Sequence, residues 1–200
     1  MTQEAQSGAR RLVVGISGAS GVIYGVRLLE LLHRQRIETH LVMSQAAKVT
    51  LAYETTMKVS QVEALASVCY SSENIAAACS SGSFATMGMI VAPCSIRTMS
   101  EIATGVTSNL LTRAADVVLK ERRRLVLLLR ETPLHLGHIR SMASVTEAGA
   151  IVYPPVPAMY ARPSSIDEMI EHTLGRVLDL FGIETGSVRR WHGTRLNPPA

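Results

Sequence analysis

The sequence predicts an α/β fold, a parallel sheet with helices on both of its faces. Three observations carry this. Short apolar runs alternate along the chain with longer stretches of helical periodicity. The apolar runs are continuous, as in strands buried on both faces. The first of them, Leu12-Val13-Val14, runs into a loop of small residues, Gly15-Ile16-Ser17-Gly18-Ala19-Ser20-Gly21, and an amphipathic stretch from Val22 to Leu32 follows at once.

In chain order, strands are expected at 11–16, 37–43, 87–93, 125–129 and 150–153. Helices are expected at 22–34, 45–53, 61–66, 96–104, 109–121, 134–148 and 166–181. Ser60 with Glu63, and Ser165 with Glu168, have the spacing of capping boxes that open helices. Gly149 supplies a C-terminal stop. Two hundred residues, 47% of them hydrophobic, suit a single domain over 1–200 with flexible tails at 1–10 and 193–200.

Composition narrows the function classes. Only 18% of residues are charged, so part of the surface is expected to be buried against copies of the chain. The net charge of +4 suits a phosphorylated ligand. Arg122-Arg123-Arg124 closes a helical pattern, where cations complement the helix dipole, and is not read as a nucleic-acid patch. Cys69, Cys79 and Cys94 make an odd count without C-x-x-C spacing, which points to a reducing compartment. The first eleven residues lack an apolar signal core, and no apolar run reaches membrane-spanning length. A cytoplasmic protein is expected, with no membrane and no nucleic-acid partner.

The small-residue loop is the first chemical signal. A strand that turns into a helix through almost no side-chain bulk lets backbone N–H groups approach an anion at the helix N-terminus. The loop is neither G-x-x-x-x-G-K-[ST] nor G-x-G-x-x-G. The second strand ends at Ser44, where a dinucleotide site needs a carboxylate for the ribose diol. A mononucleotide with a terminal phosphate, FMN-like, fits better than NAD; a bare tight turn is the alternative.

Ligands of such sheets sit outside the carboxyl ends of the strands. The segments there are Ser17 to Ser20, Ser44, Cys94-Ser95-Ile96-Arg97-Thr98, Arg130-Glu131-Thr132-Pro133, and Pro154 to Tyr160. Hydroxyls, two arginines and a carboxylate thus converge on one edge. A charged pair at the mouth of a buried strand is costly unless it is paired or binds something. Glu131 is the plausible acid/base at that mouth, or else the salt-bridge partner of Arg130. Arg113 and Lys120, seven apart, share one helix face that by itself reads as solvated.

These residues resemble a known family. The Gly15–Gly21 loop, Pro93-Cys94-Ser95-Ile96-Arg97-Thr98, Arg113 to Arg122 and Arg130-Glu131-Thr132-Pro133-Leu134 are similar to the flavin prenyltransferases of the UbiX type, once described as aromatic-acid decarboxylases. Tyr160 with Pro163, Arg176-Val177-Leu178 and Arg190-Trp191 continue the match, which covers about residues 11 to 192. The resemblance implies a three-layer flavodoxin-like or Rossmann-like sheet in a homo-oligomer, commonly a dodecamer, with active sites between subunits. It implies metal-independent transfer of a dimethylallyl group from dimethylallyl phosphate to N5 and C6 of reduced FMN. Phosphate leaves, and prenylated FMN passes to UbiD-type decarboxylases.

By the same resemblance FMN is held by Gly18, Ala19, Ser20, Ser44, Ser95, Ile96, Arg97, Thr98 and Arg130. Glu131, Glu54 and Ser20 are catalytic, and Arg113, Lys120, Tyr160 and Arg176 bind the donor's phosphate, where fixed cations can stabilise the leaving group. Glu54 also reads as a solvated helix-end carboxylate. Met159 stands where relatives often carry Phe, Arg124 where they often have Pro, and Arg97 where they have a small residue or lysine. Two other readings remain: an FMN-dependent decarboxylase of cysteine-containing substrates, whose Pro-Ala-Ser-Ala-Asn-Thr signature this chain lacks, and a flavin carrier or partner subunit. His135 and His138 are read as structural and not as half a metal site. Cys94 is read as a small buried thiol.

Overall fold

The computed structural model describes residues 10–191 and 193; the expected tails otherwise lie outside the described residues. The chain divides into two compact units, Met1–Pro155 and Val156–Ala200.

The first unit holds six strands: β1 (Arg11–Ile16), β2 (Glu38–Met43), β3 (Val68–Tyr70), β4 (Gly88–Cys94), β5 (Arg124–Leu129) and β6 (Ile151–Val152). All pair in parallel in the order β3-β2-β1-β4-β5-β6. Without the three-residue edge strand β3, the order is the flavodoxin-like 2-1-3-4-5. Its helices are α1 (Val22–Arg34), α2 (Gln45–Glu54), α3 (Val59–Glu63), α4 (Ile96–Thr104), α5 (Leu110–Lys120) and α6 (Leu136–Glu147).

Alternate strand residues feed two cores. Val13, Val42, Met89, Val91, Leu125, Leu127 and Leu129 pack with Met99, Ile102, Leu110, Leu111, Ala114, Val118 and Val145 of α4, α5 and α6. On the other face lie Ile16 and Ala92, with α1 directly over them. A Cβ on Gly25 of α1 would stand 2.4 Å from the Ala92 carbonyl oxygen and 2.6 Å from Ile16 Cδ1, so the helix rests on the sheet at this depth only with glycine there. Each fully buried Leu or Val contributes roughly 1.5–3 kcal/mol, and both cores are rich in them.

Three local expectations are corrected. β3 carries no apolar run and was not expected; side-chain exchange holds it to the edge. Thr39 N–H donates to Ser67 Oγ, Ser67 N–H donates to Thr39 Oγ1, and Tyr70 Oη meets His40 Nδ1 at 2.9 Å. α3 opens two residues before the expected 61–66, because the Gln61 side chain accepts from Lys58 N–H at 2.7 Å and fixes the start there; Ser60 and Glu63 do not form the box. In the second unit α7 (Ile166–Asp179) opens at Ser165, which accepts from Glu168 N–H, but the Glu168 carboxylate reaches Ser164 N–H instead of the cap residue's own. Gly149 ends α6 with φ +104°, as its place after the apolar pattern predicts.

Among the described residues no helix is long and apolar enough to cross a membrane. None of the three cysteines is bridged.

Candidate active site at the carboxyl edge of the sheet

β1 and β4 are neighbours whose connections leave in opposite directions, and a crevice opens at such a point. A cavity of about 670 Å³ lies there. Gly18, Ala19 and Ser20 come from the turn after β1, Ser44 from the end of β2, Ser95 to Thr98 from the start of α4, and Arg130 and Glu131 from the mouth of β5. All nine positions expected to hold FMN therefore line one cavity, with Glu131 beside them.

The turns are fixed to one another by small hydroxyl residues. Ser17 Oγ donates to the Pro93 carbonyl at 2.9 Å and accepts from Ser95 N–H at 2.7 Å, tying the β1 turn to the β4 turn. Ser44 and Ser95 cap α2 and α4, accepting from Ala47 N–H and Thr98 N–H. Gly18 passes α2 so closely that a Cβ would stand 2.3 Å from Ala46 Cβ.

The α1 N-terminus differs from the expected phosphate cradle. Its cap residue Gly21 has φ +97° and no side chain to cap with. The donors instead go to Glu54: Gly21 N–H donates to both carboxylate oxygens at 3.1 and 2.9 Å, and Val22 N–H donates at 2.9 Å. Burial alone would raise this carboxyl, but hydrogen bonds from Ser20, Val22 and Gly21 and the charge of Arg130 outweigh it and hold it below the usual carboxylate range. Glu54 is thus an ionised anchor at the helix end, not a free solvated carboxylate. The helix ends that face the cavity with first-turn residues are those of α2, at Gln45 and Ala46, and α4, at Ile96 and Arg97.

Glu131 accepts from Thr132 N–H at 3.0 Å. Among the described residues it forms no ion pair with Arg130, so the salt-bridge alternative does not hold. Arg97 Nε donates to Glu101 at 2.9 Å, and Glu101 also accepts from Ser108 Oγ at 2.7 Å. Glu101, Ser108, Asn109, Ser72 and Glu73 line the cavity without having been anticipated. The Asn109 cap and the Leu110 N–H bond to the Ser72 carbonyl bring two distant loops to the rim. Tyr24 was missed as well. Burial raises its phenol against the lowering charge of Arg130, so it stays neutral beside that arginine.

The four positions expected to bind the donor are divided between the units, Arg113 and Lys120 in the first and Tyr160 and Arg176 in the second. Arg113 pairs with Asp116 at 2.8 Å and Lys120 pairs with Glu121; neither lines the cavity. α5 starts at the rim, and Lys120 ends it beside Gly82, roughly 15 Å further along at 1.5 Å per residue. In the second unit Tyr160 is half exposed, with the rings of His172 and Trp191 edge-on at 5.9 Å each. Arg176, on α7, pairs with Asp179 at 3.0 Å. His135 Nδ1 accepts from Gly137 N–H and so caps α6. Cys94 is fully buried, and its thiol is pushed far up by desolvation.

The Flavoprotein family model matches residues 1–178. Flavin prenyltransferase UbiX of Escherichia coli K12 is 58% identical over 187 residues, covering 92% of this chain and 99% of that protein. Among solved structures, AnUbiX (PadA1) in complex with FMN and dimethylallyl pyrophosphate has a TM-score of 0.91 and 49% identity over 93% of this chain and 99% of its own. The dodecameric FMN-dependent UbiX-like decarboxylase of Escherichia coli O157:H7 has a TM-score of 0.89 and 46% identity over 92% and 100%.

Proposed function

This chain belongs to the Flavoprotein family, and from that premise we infer that it is a flavin prenyltransferase of the UbiX type. It joins a dimethylallyl group to N5 and C6 of reduced FMN, releasing phosphate and making prenylated FMN. The observation that carries this is the single cavity whose wall holds every expected flavin position with Glu131 among them, in a chain 58% identical to a flavin prenyltransferase.

The wall fits a flavin mononucleotide. Gly18 and Ala19 present backbone rather than bulk, and Arg130 brings a cation. With the α1 donors taken by Glu54, the starts of α2 and α4, at Ser44 to Ala46 and Ser95 to Thr98, would hold the phosphate. When bound, reduced FMN supplies the nucleophilic N5 and C6. Glu131, held at the mouth of β5 by a single backbone hydrogen bond, takes the proton from C6. Glu54, fixed by three backbone hydrogen bonds, orients the Ser20 hydroxyl toward N5.

The donor is dimethylallyl phosphate, and its phosphate is bound by Arg113, Lys120, Tyr160 and Arg176. Lys120 is too far along α5 to serve the cavity of its own chain, which supports its serving the cavity of a neighbouring copy. A homo-oligomer fits this, and the UbiX-like decarboxylase above is dodecameric. Leu134, Leu136 and Ile139 are exposed at the start of α6, apolar surface suited to contact between copies. The product goes to a UbiD-type decarboxylase, in the cytoplasm, where three unbridged cysteines are at home.

The test is mass spectrometry of the flavin after anaerobic incubation of the protein with reduced FMN and dimethylallyl phosphate. The expected product is heavier by one C5 prenyl unit. Bound but unmodified FMN overturns prenyl transfer.

A further inference from the structure

The second unit carries a charge cluster around the last residue of α7. Asp179 accepts from Arg176 Nη1 at 3.0 Å and from Arg190 Nη1 and Nη2 at 3.0 and 2.9 Å. Its side chain is 16% exposed, against 47% for Arg176 and 45% for Arg190. The carboxylate therefore lies beneath two guanidiniums whose outer edges face solvent.

Charge and donor inventory give this arrangement a direction. Two positive groups share one negative one, so the trio itself is net positive, with the Glu184 carboxylate also within electrostatic reach of Arg190. Each guanidinium has five N–H donors; Arg190 spends its two terminal nitrogens on Asp179, and Arg176 spends one. A fork onto a carboxylate sets the plane of a guanidinium, which a single contact does not. Without a shared anion, two such cations repel each other and part. The carboxyl is held below its usual range, first by the hydrogen bond from Arg190, with burial opposing and the charges of both arginines adding to it, so the yoke stays ionised at neutral pH. Tyr160 lies within electrostatic reach of Arg190, and its ring is edge-on to Trp191, the next residue. His172, one turn before Arg176 on α7, closes the other side of that ring.

We propose that Asp179 is a positioning residue that yokes Arg190 to Arg176, making Arg190 a further binding residue for the phosphate monoester end of the allylic donor. This rests on the reading that Arg176 and Tyr160 bind that phosphate. Two guanidiniums gathered on one carboxylate, Arg190 by a fork and Arg176 by a single bond, and a phenol match a dianion bearing several acceptor oxygens better than Arg176 alone. The interaction is with the phosphate group, present alike in the donor and in the released product, so it acts on binding more than on the chemical step.

The test is steady-state kinetics of the intact oligomer with dimethylallyl phosphate varied at saturating reduced FMN, together with inhibition by inorganic phosphate. Asp179→Asn and Arg190→Ala are each expected to raise the donor KM about tenfold, the size of one lost charge-assisted hydrogen bond. The inhibition constant of phosphate should rise in parallel, while kcat and the KM for reduced FMN stay within about twofold. Asp179→Glu should recover most of the loss, whereas Arg190→Lys, without the fork, should not. Unchanged donor KM and phosphate inhibition in both variants overturn the proposal. So does a joint rise of donor and flavin KM with a lowered unfolding temperature, which marks a scaffold role alone. Arg176→Ala separates the two readings. If it leaves the donor KM unchanged, the donor-phosphate reading itself fails; if it raises that KM while Asp179→Asn and Arg190→Ala match the unsubstituted protein, only the yoke fails.

Discussion

Glu54 in the first unit accepts three hydrogen bonds from backbone N–H groups, besides that of Ser20, and Asp179 in the second accepts three from side chains. Glu54 is held by the N–H groups of Gly21 and Val22, which the end of α1 has already fixed in space. Asp179 is held by the tips of two arginines, each of which gives up about 2 kcal/mol of rotamer freedom to stay there. The first arrangement is rigid and costs little to keep. The second can yield and re-form, because its donors are the ends of long side chains. Glu131 belongs to neither kind: a single backbone N–H, that of Thr132, holds it.

That difference predicts a gradient of effects. The largest is at Glu131. Replacing it by Gln keeps the hydrogen-bond acceptor and removes the base, so prenyl transfer should fall by about 10²–10⁴-fold while FMN still binds. Product mass and flavin binding, measured side by side, check this; a Glu131→Gln enzyme of full activity would show that the mobile carboxylate is not the base. Next comes the assembly of the site. Lys120→Ala and Glu131→Gln proteins, each poorly active, should regain activity when co-assembled in mixed oligomers, because one kind of subunit supplies the cation and the other the carboxylate. No recovery in mixed oligomers would put Lys120 in its own chain's site, against its position at the far end of α5.

The third effect tests the rigid side of the comparison. Gly25→Ala drives a Cβ into the Ala92 carbonyl and Ile16, and should cost about 1–3 kcal/mol in a denaturant titration. The smallest is at Glu54. Its folded carboxyl titrates below its unfolded value, so its stabilisation is present above about pH 4.3 and is lost as pH falls through the lowered folded value. Glu54→Gln should therefore destabilise by about 0.5–1 kcal/mol at pH 7, and the two proteins should converge in acid. Denaturation midpoints at neutral and acid pH decide it, and a gap that persists in acid would mean the charge is not what matters.

The parts of this fold written locally were legible in the sequence. The turn after β1, the Ser95–Thr98 turn and the Arg130-Glu131 step each follow an apolar run directly, so these strand ends mark part of the cavity wall. β3 was not legible, since its place depends on the Thr39–Ser67 exchange and the His40–Tyr70 contact, both made to β2 some thirty residues earlier. Glu54 was legible as a helix-end carboxylate but not as the cap of a helix 32 residues earlier in the chain. Ser72, Glu73, Ser108 and Asn109 reach the rim through loop contacts that no periodicity records. The same holds for the fork between Asp179 and Arg190, eleven residues apart.

Gly18 and Ala46 meet with no room between them for even one added methyl group. The pair therefore acts as a gauge for the width of the crevice, and the two positions share a single allowance of volume. Gly18→Ala alone should widen the opening, whereas Gly18→Ala made together with Ala46→Gly should recover the spacing, a coupling that neither single change foretells. For the lineage this is a ratchet: once residue 46 has a side chain, residue 18 is left with none to gain.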